Sequence, residues 1–407
     1  MRQTLIAVSL LFLISCKKEK AAVEVPETII DSFQVTVGNG YGSGKYKAGD
    51  TVHIFSKAYS DSQVFDKWTG DVSLLNAATE WHSWFIMPRS TINVTSTIKN
   101  ITPFTLQFEQ IRGRDRLKPV YSYFPAAHKG IVYLLHGSGG TALNVVNNYE
   151  FIQLSKILVN DGFAIIVTES EESTTGIDAN GDGKIRWGIY PADTINNVDY
   201  VNIRNITDTF YNRGITTRSK PRYSVGMSNG GAFSVALSYA YQFKAGVSYC
   251  APGGSLLAQI STVPSQFCMA RFDNNENVGP QGNADALSNS TTLSGRGICS
   301  KYFIKERAPL YPERFARRGD ISVAKSTALF NELKINHFLD NRNYFTGFSS
   351  ALITAYQASP VSFPEISGLT LSQIGFMLDQ IDLSVSDHQM YSDYNQATLK
   401  FLNTQCF

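Results

Sequence analysis

A ten-residue stretch near the middle of the chain, at residues 222–231, constrains the fold more than any other feature. It reads Gly-x-Ser-x-Gly around Ser228, with a β-type run before it and a run of small and apolar residues after it. This context predicts a strand, a sharp turn and a helix. Gly226 and Gly230 lack the Cβ atoms that would collide in such a turn. Ser228 is therefore predicted to act as a nucleophile, close to the positive end of a helix dipole.

A second motif lies upstream, where an apolar run at residues 130–135 ends in His136-Gly137-Ser138-Gly139-Gly140 and another apolar run follows at residues 163–167. A strand that ends in His-Gly-x-Gly-Gly, followed by Gly-x-Ser-x-Gly, resembles the α/β-hydrolases. The resemblance covers roughly residues 103–407 and looks closest to secreted esterases of the feruloyl-esterase and polyhydroxybutyrate-depolymerase type. It implies an α/β-hydrolase fold: a mostly parallel sheet flanked by helices, with an insertion or lid, here preceded by a small all-β domain.

The resemblance also implies an oxyanion hole made of backbone N–H groups. One donor would be Asn229, the residue after the nucleophile. The other would come from the loop of Gly137, Ser138 and Gly139.

A nucleophilic serine needs a histidine base and an acid that orients the base, and in this family the order is serine, acid, histidine. Two of the six histidines follow Ser228. His388 lies on a loop before a predicted final helix, where the family places its base, and is preferred to His337. Asp273 follows an apolar run that reads as a buried strand, so it is the preferred acid, with Glu276 second.

The N-terminus reads as an export signal. Residues 1–16 contain a short apolar run, too short to span a bilayer, that ends in Leu-Ile-Ser-Cys. This pattern resembles the bacterial lipoprotein signal, which implies lipidation of Cys16, a tether over residues 17–27 and a location in the cell envelope. The absence of Asp after the cysteine favours the outer membrane; a plain signal peptide is the alternative.

Residues 28–98 predict a small all-β module, because strand-like runs alternate with glycine-rich turns. Its pattern resembles the repeat modules of bacterial surface proteins, which are immunoglobulin-like or β-grasp spacers. A stalk that holds the catalytic domain (residues 99–407) off the membrane is the preferred interpretation. The alternative is a carbohydrate- or surface-binding module that uses Trp68, Trp81 and Trp84.

A polar loop after the 163–167 run matches the start of a calcium-binding loop, with oxygen side chains at positions 1, 3 and 5 and glycine at position 6. The candidate ligands are Asp178, Asn180, Asp182 and Lys184, the last through its carbonyl. Position 12, where a glutamate would bind, is Ile189; Glu169 or Glu172 could replace it. The alternative is a polar loop without an ion.

Four cysteines remain after Cys16, and an even number in an exported protein indicates two disulfides. Chain order suggests one between Cys299 and Cys406. An insertion is expected at about residues 283–370. Its aromatic residues could line a substrate cleft or form the insertion's own core; they are Tyr302, Tyr311, Phe315, Tyr344, Phe345 and Phe348.

The composition excludes few functions but argues against nucleic acid as a partner, since the formal net charge is only +2. Taken together, the motifs predict a serine carboxylic-ester hydrolase that needs no cofactor for catalysis. Expected substrates are acylated polysaccharide, feruloyl, polyester or lipid esters. The alternatives are a serine peptidase of the same fold and a surface-binding protein on a catalytically silent scaffold.

Overall fold

The computed structural model describes residues 32–57 and 60–405. The predicted signal peptide, Cys16, the tether and Cys406 lie outside the described residues. Within the described ranges, no helix combines the length and the apolar character needed to cross a membrane.

The N-terminal module consists of two mostly antiparallel sheets that share one apolar core. The sheet orders are β3-β1-β7-β5 and β2-β4-β6, and β1 pairs with β7 in parallel. The strands are β1 (Ser32–Gly38), β2 (Gly40–Tyr41), β3 (Gly44–Lys47), β4 (Thr51–Ser56), β5 (Gln63–Gly70), β6 (His82–Ile86) and β7 (Ile92–Asn100). Buried and exposed residues alternate along β1 and β7, as expected for strands with one face on a core.

The tryptophans of the module do not form an exposed platform. Trp68 and Trp81 are 2% and 7% exposed, and the Trp68 indole N–H donates to the Glu80 carbonyl. The alternative prediction of a carbohydrate platform is therefore wrong at these two positions, because both rings pack in the interior, and Trp84 is half-buried. Trp81 lies with its ring 3.9 Å from the guanidinium carbon of Arg317 in the catalytic domain. The module thus packs against the C-terminal domain, and its role as a stalk that holds that domain off a membrane stays a prediction.

The C-terminal domain, which is the predicted catalytic domain, is organised on one eight-stranded sheet of order β8-β9-β11-β10-β12-β13-β14-β15. Its strands are β8 (Gln107–Arg112), β9 (Leu117–Tyr123), β10 (Gly130–Leu135), β11 (Phe163–Val167), β12 (Arg222–Met227), β13 (Ala245–Tyr249), β14 (Ser265–Ala270) and β15 (Ser300–Lys305). β9 is antiparallel to both of its neighbours, and all the other pairs are parallel. This is the α/β-hydrolase fold, as predicted.

Helices cover both faces of the sheet, so its central strands are apolar throughout and fully buried. The helices are α1 (Ala142–Asn147), α2 (Tyr149–Asn160), α3 (Glu171–Thr175), α4 (Val198–Asn212), α5 (Asn229–Tyr241), α6 (Ser255–Ile260), α7 (Gly279–Gly295), α8 (Val323–Ile335), α9 (Ser349–Ala358), α10 (Pro364–Ser367), α11 (Leu371–Val385) and α12 (Asn395–Thr404). The α2 and α12 side chains share a core on one face, and those of α4 and α5 share a core on the other.

The insertion begins later than predicted. Most of α7 and all of β15 fall within the expected range 283–370, but β15 pairs with β14 along its whole length and α7 packs on both strands. The inserted segment is the helical region between β15 and α12, which has an apolar core of its own. Phe315 and Phe345 are fully buried in that core.

Two of the cysteines expected in disulfides are free thiols. Cys250 and Cys268 are both buried in the sheet interior. Cys250 donates to the Gln389 carbonyl at 3.3 Å, and the Gln266 amide donates to the Cys268 sulfur at 3.2 Å. The prediction of two disulfides is therefore wrong. A bond between Cys299 and Cys406 stays a prediction, because Cys406 lies outside the described residues.

Candidate active site

Ser228 occupies the turn between β12 and α5 with φ 57° and ψ −128°. Non-glycine residues avoid this backbone conformation, which costs of the order of 1–3 kcal/mol. The two flanking glycines are required by close contacts. A Cβ on Gly226 would lie 2.1 Å from the Gly230 carbonyl oxygen, and one on Gly230 would lie 2.2 Å from the His136 carbonyl oxygen. The turn predicted from Gly-x-Ser-x-Gly is thus present and leaves Ser228 half-exposed.

The structure brings the three residues predicted as a triad together. Nε2 of His388 lies 2.8 Å from Oγ of Ser228, and Nδ1 of His388 lies 2.7 Å from Oδ2 of Asp273. The Asp273 side chain is fully buried, whereas His388 retains 12% exposure. With a proton on Nδ1 donated to the carboxylate, Nε2 can accept the proton of the serine hydroxyl.

The loop that carries His388 is held to the end of β14 by groups that sequence reasoning did not assign. Oδ1 of Asp387 accepts the backbone N–H of His388 at 2.7 Å and that of Asn274 at 2.9 Å. Ser386 accepts the Arg271 N–H through its hydroxyl and the Phe272 N–H through its carbonyl. These bonds set His388 opposite Asp273. Asp387 is too close in sequence to orient the imidazole, and its carboxylate binds the backbone instead.

The alternative base and acid lie elsewhere. His337 is exposed in a turn of the insertion, in the left-handed conformation with φ 61°. Glu276 is exposed and its carboxylate pairs with Lys184 at 2.9 Å. In the described part of the chain, neither side chain hydrogen-bonds to Ser228 or His388.

One of the backbone N–H groups predicted to form the oxyanion hole, that of Gly139, already has a hydrogen-bond acceptor. The Gly139 N–H donates to the Ile185 carbonyl at 2.7 Å, so it is not free to bind an oxyanion. The Ser138 N–H has no partner among the described residues, and Ser138 lines the same pocket as Ser228 and Asn229. Asn229 is the first residue of α5, where backbone N–H groups lack helical acceptors. Asn229 and Ser138 are therefore the preferred pair; the Gly137 N–H also has no partner among the described residues, but Gly137 does not line the pocket.

His136, as a neutral ring, stabilises the oxyanion loop, which comprises residues 137–140. Its Nε2 accepts the Ser170 N–H at 3.0 Å, so the proton lies on Nδ1, which donates to the Gly137 carbonyl at 2.6 Å. Burial lowers the pKa of His136 to about 4. The motif histidine is thus a structural residue of the loop, not a second base.

Trp187 is a site residue that no sequence signal indicated. Its indole N–H donates to the His136 carbonyl at 3.0 Å, and its backbone N–H donates to the Asn229 side chain at 2.8 Å. Its ring stacks on Phe233 of α5, with centroids 4.7 Å apart. Trp187 therefore fixes the oxyanion loop to the helix that follows the nucleophile.

A pocket of about 210 Å³ opens over Ser228. Its other walls come from residues 184–189, 251–253 and 277–278, and Lys184 and Arg186 lie at its rim. Lys184 pairs with Glu276, and Arg186 pairs with Asp182. No residue of the predicted insertion lines this pocket in the described part of the chain, so the insertion forms none of its walls.

The predicted calcium loop lies beside this rim, and its carboxylate oxygens accept hydrogen bonds from groups of the same loop. Asp178 accepts three backbone N–H groups of the loop, and Asp182 pairs with Arg186. Glu172 accepts the N–H groups of Ala179 and Arg186. These bonds occupy part of the candidate ligand oxygens, and the calcium site stays a prediction.

Cys250 lies next to the triad. Its sulfur, a carboxylate oxygen of Asp273 and a ring nitrogen of His388 lie within 4.8 Å of one another. Because both nitrogens of His388 are hydrogen-bonded to Ser228 and Asp273, this grouping does not fit a metal ion. Burial raises the pKa of Cys250, which keeps it a thiol.

Comparison with known proteins yields similar structures only. No protein-family model and no curated protein matches the chain. A dienelactone hydrolase from Anabaena variabilis is 16% identical with a TM-score of 0.38, covering 50% of this chain and 88% of its own. A ferulic acid esterase is 10% identical with a TM-score of 0.36, and the match covers 50% of this chain and 91% of the esterase. An acylaminoacyl peptidase from Pyrococcus horikoshii is 11% identical with a TM-score of 0.37, and the match covers 75% of this chain and 55% of the peptidase. At such values these similarities carry no argument about the reaction or the substrate.

Proposed function

We propose that this chain is a serine hydrolase of carboxylic esters, with Ser228 as nucleophile, His388 as base and Asp273 as the acid that orients the base. The observation that carries the proposal is the continuous hydrogen-bonded series from Ser228 through His388 to the buried Asp273. A strained serine at a strand–helix turn, facing a base and free backbone donors, is the arrangement that acyl transfer requires.

In this mechanism Oγ of Ser228 attacks the ester carbonyl while Nε2 of His388 takes the hydroxyl proton. The negative oxygen of the tetrahedral intermediate accepts from the N–H groups of Asn229 and Ser138. Each such donor contributes about 3 kcal/mol in well-studied enzymes. The bond to the alcohol then breaks as His388 gives its proton to the leaving oxygen. A water molecule repeats the sequence on the acyl-enzyme, which releases the acid and restores Ser228.

The pocket favours a small acyl group. A volume of about 210 Å³ accommodates an acetyl group or a single aromatic ring, and no insertion residue is among its described lining. A bulky leaving group would then lie outside this small pocket. We therefore propose esters on polysaccharides, acetyl or feruloyl, ahead of polyesters and lipids.

The experiment is hydrolysis of p-nitrophenyl esters of increasing chain length, by the chain without residues 1–16 and by its Ser228→Ala variant. We expect turnover of short acyl chains and a fall in kcat of about 10⁴-fold or more in the variant. A fluorophosphonate probe should label the parent and not the variant. Full activity in Ser228→Ala would refute the proposal. Labelling without turnover of any ester would favour a peptidase instead.

We also propose that the chain is exported and lipid-anchored at Cys16 in the cell envelope. Lys17, in place of the aspartate that would retain a lipoprotein in the inner membrane, favours the outer membrane. The test is metabolic labelling with palmitate in a bacterial host, followed by membrane fractionation. Labelling that disappears in Cys16→Ala is expected. Equal labelling of the two chains would contradict the proposal.

A further inference from the structure

A cleft of about 460 Å³ lies between the N-terminal module and the insertion. Among the described residues it shares no lining residue with the pocket over Ser228. One wall comes from the module, around Tyr46 and Asp50, and the other comes from the turn at residues 341–344. The buried base is formed by His53, Phe55 and Tyr311.

The wall from the insertion is rigid. Oδ1 of Asp340 accepts the backbone N–H groups of Arg342 and Tyr344, both at 2.8 Å. The Asp340 N–H donates to the Tyr344 carbonyl at 2.9 Å, and the Asn343 carbonyl accepts the Leu310 N–H at 2.9 Å. A wall that is already ordered loses little conformational entropy when a ligand binds.

The opposite wall is also fixed. The Tyr46 hydroxyl donates to the Gly42 carbonyl at 2.9 Å, and the Asp50 carboxylate accepts the Lys47 N–H at 2.9 Å. Across the cleft the Tyr344 ring meets His53 edge-on, with centroids 6.1 Å apart. Aromatic rings therefore stand on both sides of a polar cleft.

The charge of the lining is positive. Lys45 and Arg342 are both exposed there, and neither pairs with a carboxylate within the described ranges, whereas Asp50 is the one carboxylate among the described residues that line the cleft. The Arg342 guanidinium carbon lies 5.9 Å from the centre of the Tyr344 ring. The side-chain oxygen of Asn343 is buried and has no hydrogen-bond partner in the described part of the chain.

We infer that this cleft binds an oligosaccharide segment that carries uronate carboxylates. The rings of Tyr46 and Tyr344 offer flat apolar faces to the C–H faces of sugar rings. Arg342 and Lys45 supply charge-assisted hydrogen bonds to carboxylates. A glycan site thus lies at the module, but at its border with the insertion and not at the buried tryptophans. This site does not depend on the esterase proposal, because binding requires no turnover.

The test is isothermal titration calorimetry on the chain carrying Ser228→Ala, with tetragalacturonate as the probe and neutral xylotetraose as its matched control. We expect saturable binding of tetragalacturonate, at least about tenfold tighter than that of xylotetraose. We expect the affinity to fall as NaCl rises, since exposed charges are screened. Absence of tetragalacturonate binding, or equal affinity for the two sugars, would overturn the inference.

Variants locate the site. Arg342→Gln and Tyr344→Ala should each weaken tetragalacturonate binding about tenfold, which corresponds to about 1.4 kcal/mol. Lys67→Gln, which removes an exposed cation elsewhere on the module, should leave the affinity unchanged. Denaturation midpoints close to that of the parent will show that the variants are folded. Binding that is unaffected by both cleft variants would place the glycan elsewhere and refute the assignment, whatever the outcome of the ester assays.

Discussion

Nδ1 of His82 lies 2.6 Å from Oδ1 of Asp393, so the N-terminal module is hydrogen-bonded to the loop between His388 and α12. Nζ of Lys305 lies 3.3 Å from the same oxygen, and all three side chains are almost entirely buried. Burial opposes ionisation of Asp393, but Lys305 and His82 outweigh it and hold its pKa below the ordinary value. The module is therefore part of the support for the candidate base.

Replacing His82 should affect both stability and turnover. In His82→Ala the buried Asp393 loses a hydrogen bond and keeps Lys305 as its ion-pair partner among the described residues, so the free energy of unfolding should fall by about 2 kcal/mol. We expect kcat for p-nitrophenyl acetate to fall several-fold with little change in KM, because the His388 loop loses a support and the pocket does not. Urea denaturation and steady-state kinetics measure the two effects.

Two further variants control this experiment. His82→Asn keeps an N–H donor close to the position of Nδ1 and should recover most of both losses. His337→Ala removes an exposed histidine of the insertion and should change neither. An unchanged kcat in a destabilised His82→Ala variant would show that the contact between the module and Asp393 does not help to position His388.

Asp387 is expected to be a positioning residue, since its carboxylate bonds to the backbone at His388 and Asn274 and not to the imidazole. Asp387→Ala should lower kcat about tenfold to a hundredfold, because small displacements of catalytic groups cost rates of this size. KM should change little. Glu276→Ala removes an exposed carboxylate near the pocket and is the matched control. Equal kcat in the two variants would contradict the assigned role.

Local motifs explain why the core of the site could be predicted. The turn at Ser228 demands glycine at 226 and 230, so the nucleophile appears in the sequence as a pattern of nearest neighbours. Asp273 could be placed because it follows a buried strand. His388 could be placed because it precedes the last helix.

Contacts between distant segments could not be predicted. Gly139 belongs to the His-Gly-x-Gly-Gly motif, but its N–H donates to the carbonyl of Ile185. No motif or spacing in the sequence indicates this bond. The sequence pattern places β15 in the insertion because most of its residues are only half-buried at the sheet edge, which leaves a weak apolar pattern. Trp187 and His82 act on groups more than 40 residues away, so their roles follow from the tertiary structure alone.

Relief of the turn strain should make the protein more stable. Because Ser228 has φ 57°, which favours glycine, Ser228→Gly should raise the free energy of unfolding by about 1 kcal/mol while abolishing turnover. Ser228→Ala keeps the strain and should unfold like the parent. Urea denaturation of the three chains measures this. A Ser228→Gly chain no more stable than Ser228→Ala would show that the turn stores no strain.

Asp379 should make stability depend on pH. Burial, and then the nearby Asp382, raise its pKa from 3.8 to about 7. The native state therefore holds a proton that the unfolded state has lost, so this group costs stability increasingly as the pH rises from about 4 to about 7. Asp379→Asn removes that cost and should raise the melting temperature by about 3 °C at pH 8, with a smaller gain at pH 5. Exposed Asp115→Asn is the control. A gain that does not grow with pH would contradict the shift.

Two glycines of the site look alike in sequence but differ in their surroundings. A Cβ at Gly230 would lie 2.2 Å from the His136 carbonyl oxygen, which is backbone and cannot move aside. Gly230→Ala should therefore lose more than about 4 kcal/mol of stability or fail to fold. Gly139 has φ 71°, but a Cβ there would meet no atom of a non-neighbouring described residue within 4 Å. Gly139→Ala should accordingly cost only about 1 kcal/mol and keep its activity. Soluble yield, urea denaturation and ester hydrolysis compare the two. Equal losses would contradict the prediction that close contact with the His136 carbonyl requires glycine at 230.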